Sequence, residues 1–245
     1  MATKGTGVYT LMDHAKLLDP NGKIARTIAL LSQDNRILDD MLFKEGNLPN
    51  GEQTTIDVGL PEVFYRLMNM GTPNSKAVTA QITENAAQLE GRSEVDVKVA
   101  NMNGNVGQFR LNNAMKFLEA MNQKQAQTLI YGTNLGGEEY VGIAPRYSDL
   151  SASNGQNILD AGGTGSDNTS IFLVGWGMDK VFGVFPKGSK AGVSHQNLGE
   201  IDAFDANDNR FRAYSDLWQW DNGLVVKDWR YIVRVANIDV PDLVG

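Results

Sequence analysis

The chain has 245 residues, 42% of them hydrophobic and 21% charged, with a formal net charge of −7. That is enough chain for one large domain or two modest ones with a real core. It has no cysteine and only two histidines, His14 and His195. This excludes disulfides, thiolate zinc sites, iron–sulfur clusters and cysteine nucleophiles, and leaves almost no room for multi-histidine metal centres. The acidic surplus argues against a surface that grips nucleic acid, because phosphate affinity comes from clustered Lys and Arg.

No stretch approaches the roughly 18 to 20 apolar residues that span a bilayer. Met1–Gly7 has no apolar signal core, so the chain is expected to act in the compartment where it is made. Residues 10–44 predict short amphipathic helices. Leu11, Ala15 and Leu18 share one face, Asp19-Pro20-Asn21-Gly22 breaks the run, and Ile24, Ile28, Leu31, Ile37, Leu38, Met41 and Leu42 form a second, interrupted at 32–35. Residues 46–62, with Gly46, Pro49-Asn50-Gly51, Gly59 and Pro61, read as loop.

Residues 63–104 predict a long β-hairpin. Val78, Ala80 and Ile82 alternate with polar neighbours on one arm, Val95, Val97 and Val99 on the other, and the small polar run Thr83–Ser93 forms its tip. Such a ribbon cannot stand alone. Val78, Ile82, Val95, Val97 and Val99 are therefore the candidate contacts with another subunit. Residues 105–133 predict the clearest helix, with Leu111, Met115, Leu118, Asn122, Gln125 and Leu129 on one stripe that Ala114, Met121 and Ala126 widen. Leu111, Met115, Leu118 and Leu129 are its candidate core, Arg110 and Lys116 lie on the wet side, and Gly132 ends it. At about 1.5 Å per residue it would run roughly 35 to 40 Å.

The remainder reads as β. Ile171–Val174 and Val181–Phe185 are short apolar strands, Asp221-Asn222-Gly223 predicts a hairpin turn, and Tyr231–Ala236 alternates as a last strand. The composite fold class is α+β, with no internal repeat.

Motifs that could carry chemistry each miss a required residue. Gly183–Lys190 has Ser189-Lys190 where a phosphate loop needs Lys before Ser or Thr. Asp205–Asn209 starts like a calcium loop, but Arg210 replaces the glycine of the sharp turn. Gly162–Ser166 follows no strand of the dinucleotide type. Neither histidine lies in a nucleophile context, and no spacing singles out a carboxylate pair. Trp176, Trp218, Trp220 and Trp229 fall among the β runs, where they fill cores or interfaces more often than sugar-binding platforms. No catalytic, cofactor or metal residue is assigned.

The order of elements is N-terminal helices, a long two-stranded loop, a long helix and a β-rich body. It resembles that of the major capsid proteins of tailed bacteriophages, closest to the short-tailed type. So do the phrases Arg36-Ile37-Leu38-Asp39-Asp40-Met41, Tyr131-Gly132-Thr133-Asn134, Gly142-Ile143-Ala144-Pro145-Arg146-Tyr147 and Trp229 to Ile238 (WRYIVRVANI). The resemblance spans nearly the whole chain. It implies a Hong Kong phage-type capsid fold, with residues 1–50 as N-arm, 51–104 as E-loop region, 105–133 as the spine helix of the peripheral domain, and 134–245 as β-rich peripheral and axial parts.

The resemblance further implies a non-enzymatic coat protein that assembles with itself, as hexamers and pentamers, into an icosahedral shell. That shell would enclose DNA without sequence-specific binding or any cofactor or membrane. Scaffolding, portal and decoration proteins would be its partners, the virion its location, and the host bacterial cytoplasm its place of assembly. Capsid proteins of this type are usually longer, so truncation at the C-terminus is also an expectation. The alternatives are a cytoplasmic carboxylate-based enzyme and a β-rich module binding carbohydrate or cell surfaces.

Overall fold

The computed structural model describes residues 35–102, 104–205 and 207–243. The N-terminal expectations on Leu11, Ala15, Leu18, Ile24, Ile28 and Leu31 lie outside them. In chain order the elements are α1 (Arg36–Asp40), β1 (Phe43–Glu45), β2 (Gly51–Gly59), β3 (Val78–Asp96), α2 (Val97–Asn101), α3 (Val106–Tyr131), α4 (Ile143–Arg146), β4 (Ile158–Asp160), β5 (Thr169–Val174), β6 (Val181–Phe185), β7 (Ser194–Phe204), β8 (Arg210–Val226) and β9 (Ile232–Ile238). The fold class is α+β, and the chain divides into two units.

The first unit gathers residues 35–39, 88–128 and 192–221. Its β7 and β8 pair antiparallel from Ser194↔Gln219 to Phe204↔Arg210, with a bulge at Asn197/Gly199. Asp205 Oδ1 accepts from the backbone of Asn207 and Asn209, both at 2.8 Å, so the calcium-like motif is a self-satisfied turn joining these strands. One core cluster is Val95, Ala100 and Phe109, flanked by Val106 and Tyr214. Trp218 is fully buried and stacks on Phe117 with ring centroids 4.6 Å apart. Gly91 on β3 leaves that ring its space, since a Cβ there would stand 3.0 Å from Phe117. Asp96 accepts from the Lys98 backbone N–H at 2.7 Å and caps α2.

The second unit gathers residues 40–87, 129–191 and 222–243. Its larger sheet runs β1-β6-β8-β3-β2. β1 is parallel to β6, β6 antiparallel to β8, and β2 antiparallel to β3 from Gly51↔Asn85 to Gly59↔Val78. Phe182, Val184 and Val225 form its core. A smaller sheet, β4-β9-β5, pairs β9 parallel with β4 and antiparallel with β5. Its inner residues Ile158, Ile232 and Ala236 are buried.

The ribbon exists, but one strand earlier than its apolar alternation suggests. Thr83–Ser93 is no tip: it lies inside β3, a continuous strand of 19 residues. The partner of β3 is β2, from the stretch read as loop, and the true tip is residues 60–77. Val97 and Val99 are half-buried on helix α2, and Val95 sits in the first unit's core. The periodicity misled because β3 carries its alternation of half-buried and exposed positions on through small polar residues, which suit a strand as well as a turn.

The hairpin at Asp221-Asn222-Gly223 is also absent. These residues continue β8, a single strand of 17 residues. Gly223 is small for a packing reason: a Cβ there would stand 2.9 Å from the Asn85 carbonyl oxygen and 3.0 Å from Ala86 Cα. Of the second predicted N-terminal run, the described part forms the five residues of α1, with Met41 buried beyond it.

Candidate functional site

Among the described residues, one cluster with the look of catalytic machinery lies in the first unit. His195 Nε2 is 2.9 Å from Asp216 Oδ1, and the imidazole stacks on Trp218 at 5.2 Å between centroids. Arg110 on α3 donates to both oxygens of the same carboxylate, at 2.6 and 3.1 Å, and to Asn197 Oδ1 at 2.8 Å. An ionised carboxylate only accepts, so Nε2 carries the proton. Burial pushes the Asp216 carboxyl up, but the hydrogen bonds from Arg110 and His195, then their charges, outweigh it and hold it below the usual carboxylate range. Among the described contacts Asp216 is the imidazole's only hydrogen-bond partner. The cluster is a clamp joining α3, β7 and β8. Arg110 reads as a solvent-facing residue in sequence, and His195 and Asp216 are 21 positions apart. No sequence signal joins the three.

Among the described residues no group of three or more His, Cys, Asp or Glu could hold a metal ion, and no helix is long and apolar enough to cross a membrane. The distinctive surfaces are apolar instead. Seven of the eleven residues from 60 to 70 are large and apolar: Leu60, Val63, Phe64, Tyr65, Leu67, Met68 and Met70. All seven are exposed at the ribbon tip. Soluble monomers rarely show contiguous apolar patches beyond a few hundred Å². Val78, at the start of β3, is exposed as well, and Ile82 is half-buried opposite Thr54 on the shaft.

On α3 the predicted core stripe is only partly right. Leu129 is fully buried, but Leu111, Met115 and Leu118 are 56%, 64% and 43% exposed. The buried face is the series Phe109, Asn113, Met121, Gln125 and Leu129, with half-buried Phe117 continuing its four-residue spacing. Asn113 donates to Ser93 Oγ at 2.5 Å within it. The helix therefore has two apolar stripes, one spent on its own chain and one open. The predicted stripe shares Met121, Gln125 and Leu129 with the buried face and departs from it at Leu111, Met115 and Leu118.

The small sheet of the second unit is open on its outer face too. Leu159, Val235 and Ile171 stand in one register row, and Val233 pairs with Leu173 in the next. Leu159, Ile171 and Leu173 are exposed. Of the tryptophans, Trp218 fills a core and Trp176, Trp220 and Trp229 are half-buried, so no exposed platform forms.

Several exposed apolar surfaces among the described residues give the physical profile of a subunit, and its relatives agree. Residues 19–245 match the family model of major capsid protein GP7. The structure is similar to a chain of bacteriophage Epsilon15, with 32% identity and a TM-score of 0.79, covering 100% of this chain and 74% of that one. A capsid chain of a native GTA particle matches at 10% identity and a TM-score of 0.59, covering 90% of this chain and 95% of that one. The encapsulin of Synechococcus elongatus matches at 10% identity and a TM-score of 0.56, over 88% and 93%. These last two share the fold alone. No curated protein matches the chain. The fold is the Hong Kong phage-type capsid fold, and the chain belongs to the GP7 family of tailed-phage major capsid proteins, the shell-forming coat proteins.

Proposed function

We propose that many copies of this chain, as hexamers and pentamers, close an icosahedral shell around phage DNA in the host bacterial cytoplasm. It works without catalysis, cofactor or sequence-specific DNA contact. The observation that carries this is the β2–β3 ribbon, whose tip exposes seven large apolar side chains. A two-stranded ribbon is marginal alone, and its exposed tip costs free energy until another surface takes it. A second copy supplies such a surface at every position of a symmetric shell.

In this reading residues 1–50 are the N-arm, 51–104 the E-loop region, 105–133 the spine helix, and 134–245 peripheral and axial parts. Val78 and Ile82 join the tip as contact residues. Val95, Val97 and Val99 do not, being taken up by the subunit's own first unit. The open α3 stripe of Leu111, Met115 and Leu118 is a second contact. The acidic balance of the chain keeps the shell from clamping the DNA it encloses. Scaffolding, portal and decoration proteins are the further partners of the shell.

Tyr65→Asp at the tip tests the reading. The variant is expected to stay folded and soluble by circular dichroism but to form no shells by sedimentation or negative-stain microscopy. Normal shells from the variant would end the tip's role as a contact.

A further inference from the structure

Met68 and Met70 flank the apex of the ribbon tip. The Met70 backbone N–H donates to the Leu67 carbonyl at 3.2 Å, and Asn69 between the two methionines has φ 63°. Asn accepts that left-handed geometry more readily than most residues, so the sequence Leu-Met-Asn-Met makes a tight turn with its two thioethers on either side. They are 92% and 62% exposed, against 5% and 4% for Met41 and Met121 in the cores. Nothing lies within 4 Å of a Cβ built on the neighbouring Gly71, so the described residues leave open space beside the turn.

An exposed thioether reacts with hydrogen peroxide. The sulfur donates an electron pair to one oxygen, the O–O bond breaks, the oxygen stays on sulfur as a sulfoxide, and the other oxygen leaves as water. The product is polar where the side chain was apolar and adaptable. Thiol-dependent reductases reverse it, returning the thioether and water as two thiols become a disulfide.

We propose that Met68 and Met70 form a reversible oxidation site that controls whether the free subunit can assemble. This rests on the reading of the tip as a contact with another copy. A sulfoxide at the turn leaves the fold untouched, because neither side chain packs in a core. It places a strong acceptor on the surface that must be desolvated, and that desolvation opposes docking. Assembly in turn shields both sulfurs, so finished shells resist what free subunits do not.

The test treats soluble wild type and the Met68→Leu/Met70→Leu double variant with hydrogen peroxide. Sulfoxide is mapped by mass spectrometry, folding by circular dichroism, and shells by sedimentation and negative-stain microscopy. The leucines conserve volume and apolarity without sulfur. Oxidised wild type is expected to remain folded, to lose assembly, and to regain it after treatment with the two methionine sulfoxide reductases and a dithiol. With Met115→Leu carried in both proteins, so that the open α3 stripe holds no sulfur, the double variant is expected to assemble after the same exposure. Normal assembly of the oxidised wild type, or equal loss in the double variant, would overturn the switch. Finished shells exposed to peroxide separate this from the underlying reading. Met68 and Met70 as unoxidised as Met41 and Met121 support a covered tip, whereas oxidation at the free-subunit rate overturns the contact itself.

Discussion

Arg146 holds Glu84 with both prongs of its guanidinium across 62 positions of sequence. Nη1 reaches Oε1 and Nη2 donates to Oε2 at 2.7 Å, while Nε and Nη2 also donate to the Val141 carbonyl at 3.2 and 3.1 Å. Within the second unit this ties β3, at the root of the ribbon, to the last residue of α4. The side chains keep only 19% and 14% exposure, so the fork is fixed and little screened by solvent.

Removing one partner of a buried pair strands the other charge, at a cost of roughly 3–5 kcal/mol. Some water reaches this one, so Glu84→Ala is expected to lower stability by about 1–3 kcal/mol in urea titration. Glu84→Gln, which keeps one acceptor, should lose less. A loss indistinguishable from zero in both would mean the fork contributes nothing net. A ribbon loosened at its root should also assemble more slowly than wild type under the same conditions.

The parts of the fold legible in sequence are those where burial follows one period. Ile171–Val174, Val181–Phe185 and the strand ending at Ile238 each show apolar runs or alternation, and each is a strand. The long helix was legible because good helix formers fill it, but its inward face was not. Asn113 and Gln125 occupy buried positions, while Leu111 and Met115 face out. A hydrophobic count cannot tell a stripe covered by the chain's own core from one left for a neighbour. The ribbon failed for the same reason in reverse, with a polar shaft and an apolar tip. What composition conveyed without any geometry was the absence of cysteine chemistry, because a residue type that is missing needs no structure to interpret.

Tyr147 gives a prediction at high pH. Its hydroxyl donates to the Trp229 carbonyl at 2.6 Å. Burial pushes its pKa up to about 12, against a partial pull from the Arg146 charge and a small push from Asp228. The folded state favours the protonated phenol, so this contribution is complete below the unfolded value near 10 and fades as pH rises toward about 12. Tyr147→Phe should cost about 1 kcal/mol at neutral pH, the net worth of one hydrogen bond. It should also flatten the fall in stability between roughly pH 10 and 12. An unchanged alkaline slope would show that another group titrates there.

The Asp216 clamp gives the opposite sign. Its folded carboxyl is held below the ordinary range, so its contribution is present above the unfolded pKa of about 3.9 and is lost as pH falls through the folded value. Asp216→Asn should destabilise the first unit at pH 7 and leave a shallower acid-side decline in urea midpoints. His195→Gln, which keeps a donor but no charge, should lose less than Arg110→Ala, because Arg110 makes two of the three side-chain bonds to that carboxylate. If the two losses come out in the reverse order, the stack of His195 on Trp218 matters more than the ion pair.

The two stripes of α3 can be separated by substitution. Leu118→Ala on the open stripe removes a side chain already 43% exposed, so the free subunit should lose about 1 kcal/mol or less in denaturant titration. Met121→Ala on the inward face, where only 4% is exposed, should lose about 2–5 kcal/mol. Assembly should respond differently. Leu111→Asp and Met115→Asp leave the inward series from Phe109 to Leu129 intact, and each should give a folded subunit with near-wild-type denaturant midpoint. If another copy lies along the open stripe, the new carboxylate must be desolvated there without a partner, and shells should fail to close or close only at high protein concentration. The comparison must be made on subunits shown to be folded, since an unfolded variant also yields no shells. Full assembly by both aspartate variants would assign the open stripe to the shell's solvent-facing surface and leave the ribbon tip as the principal contact.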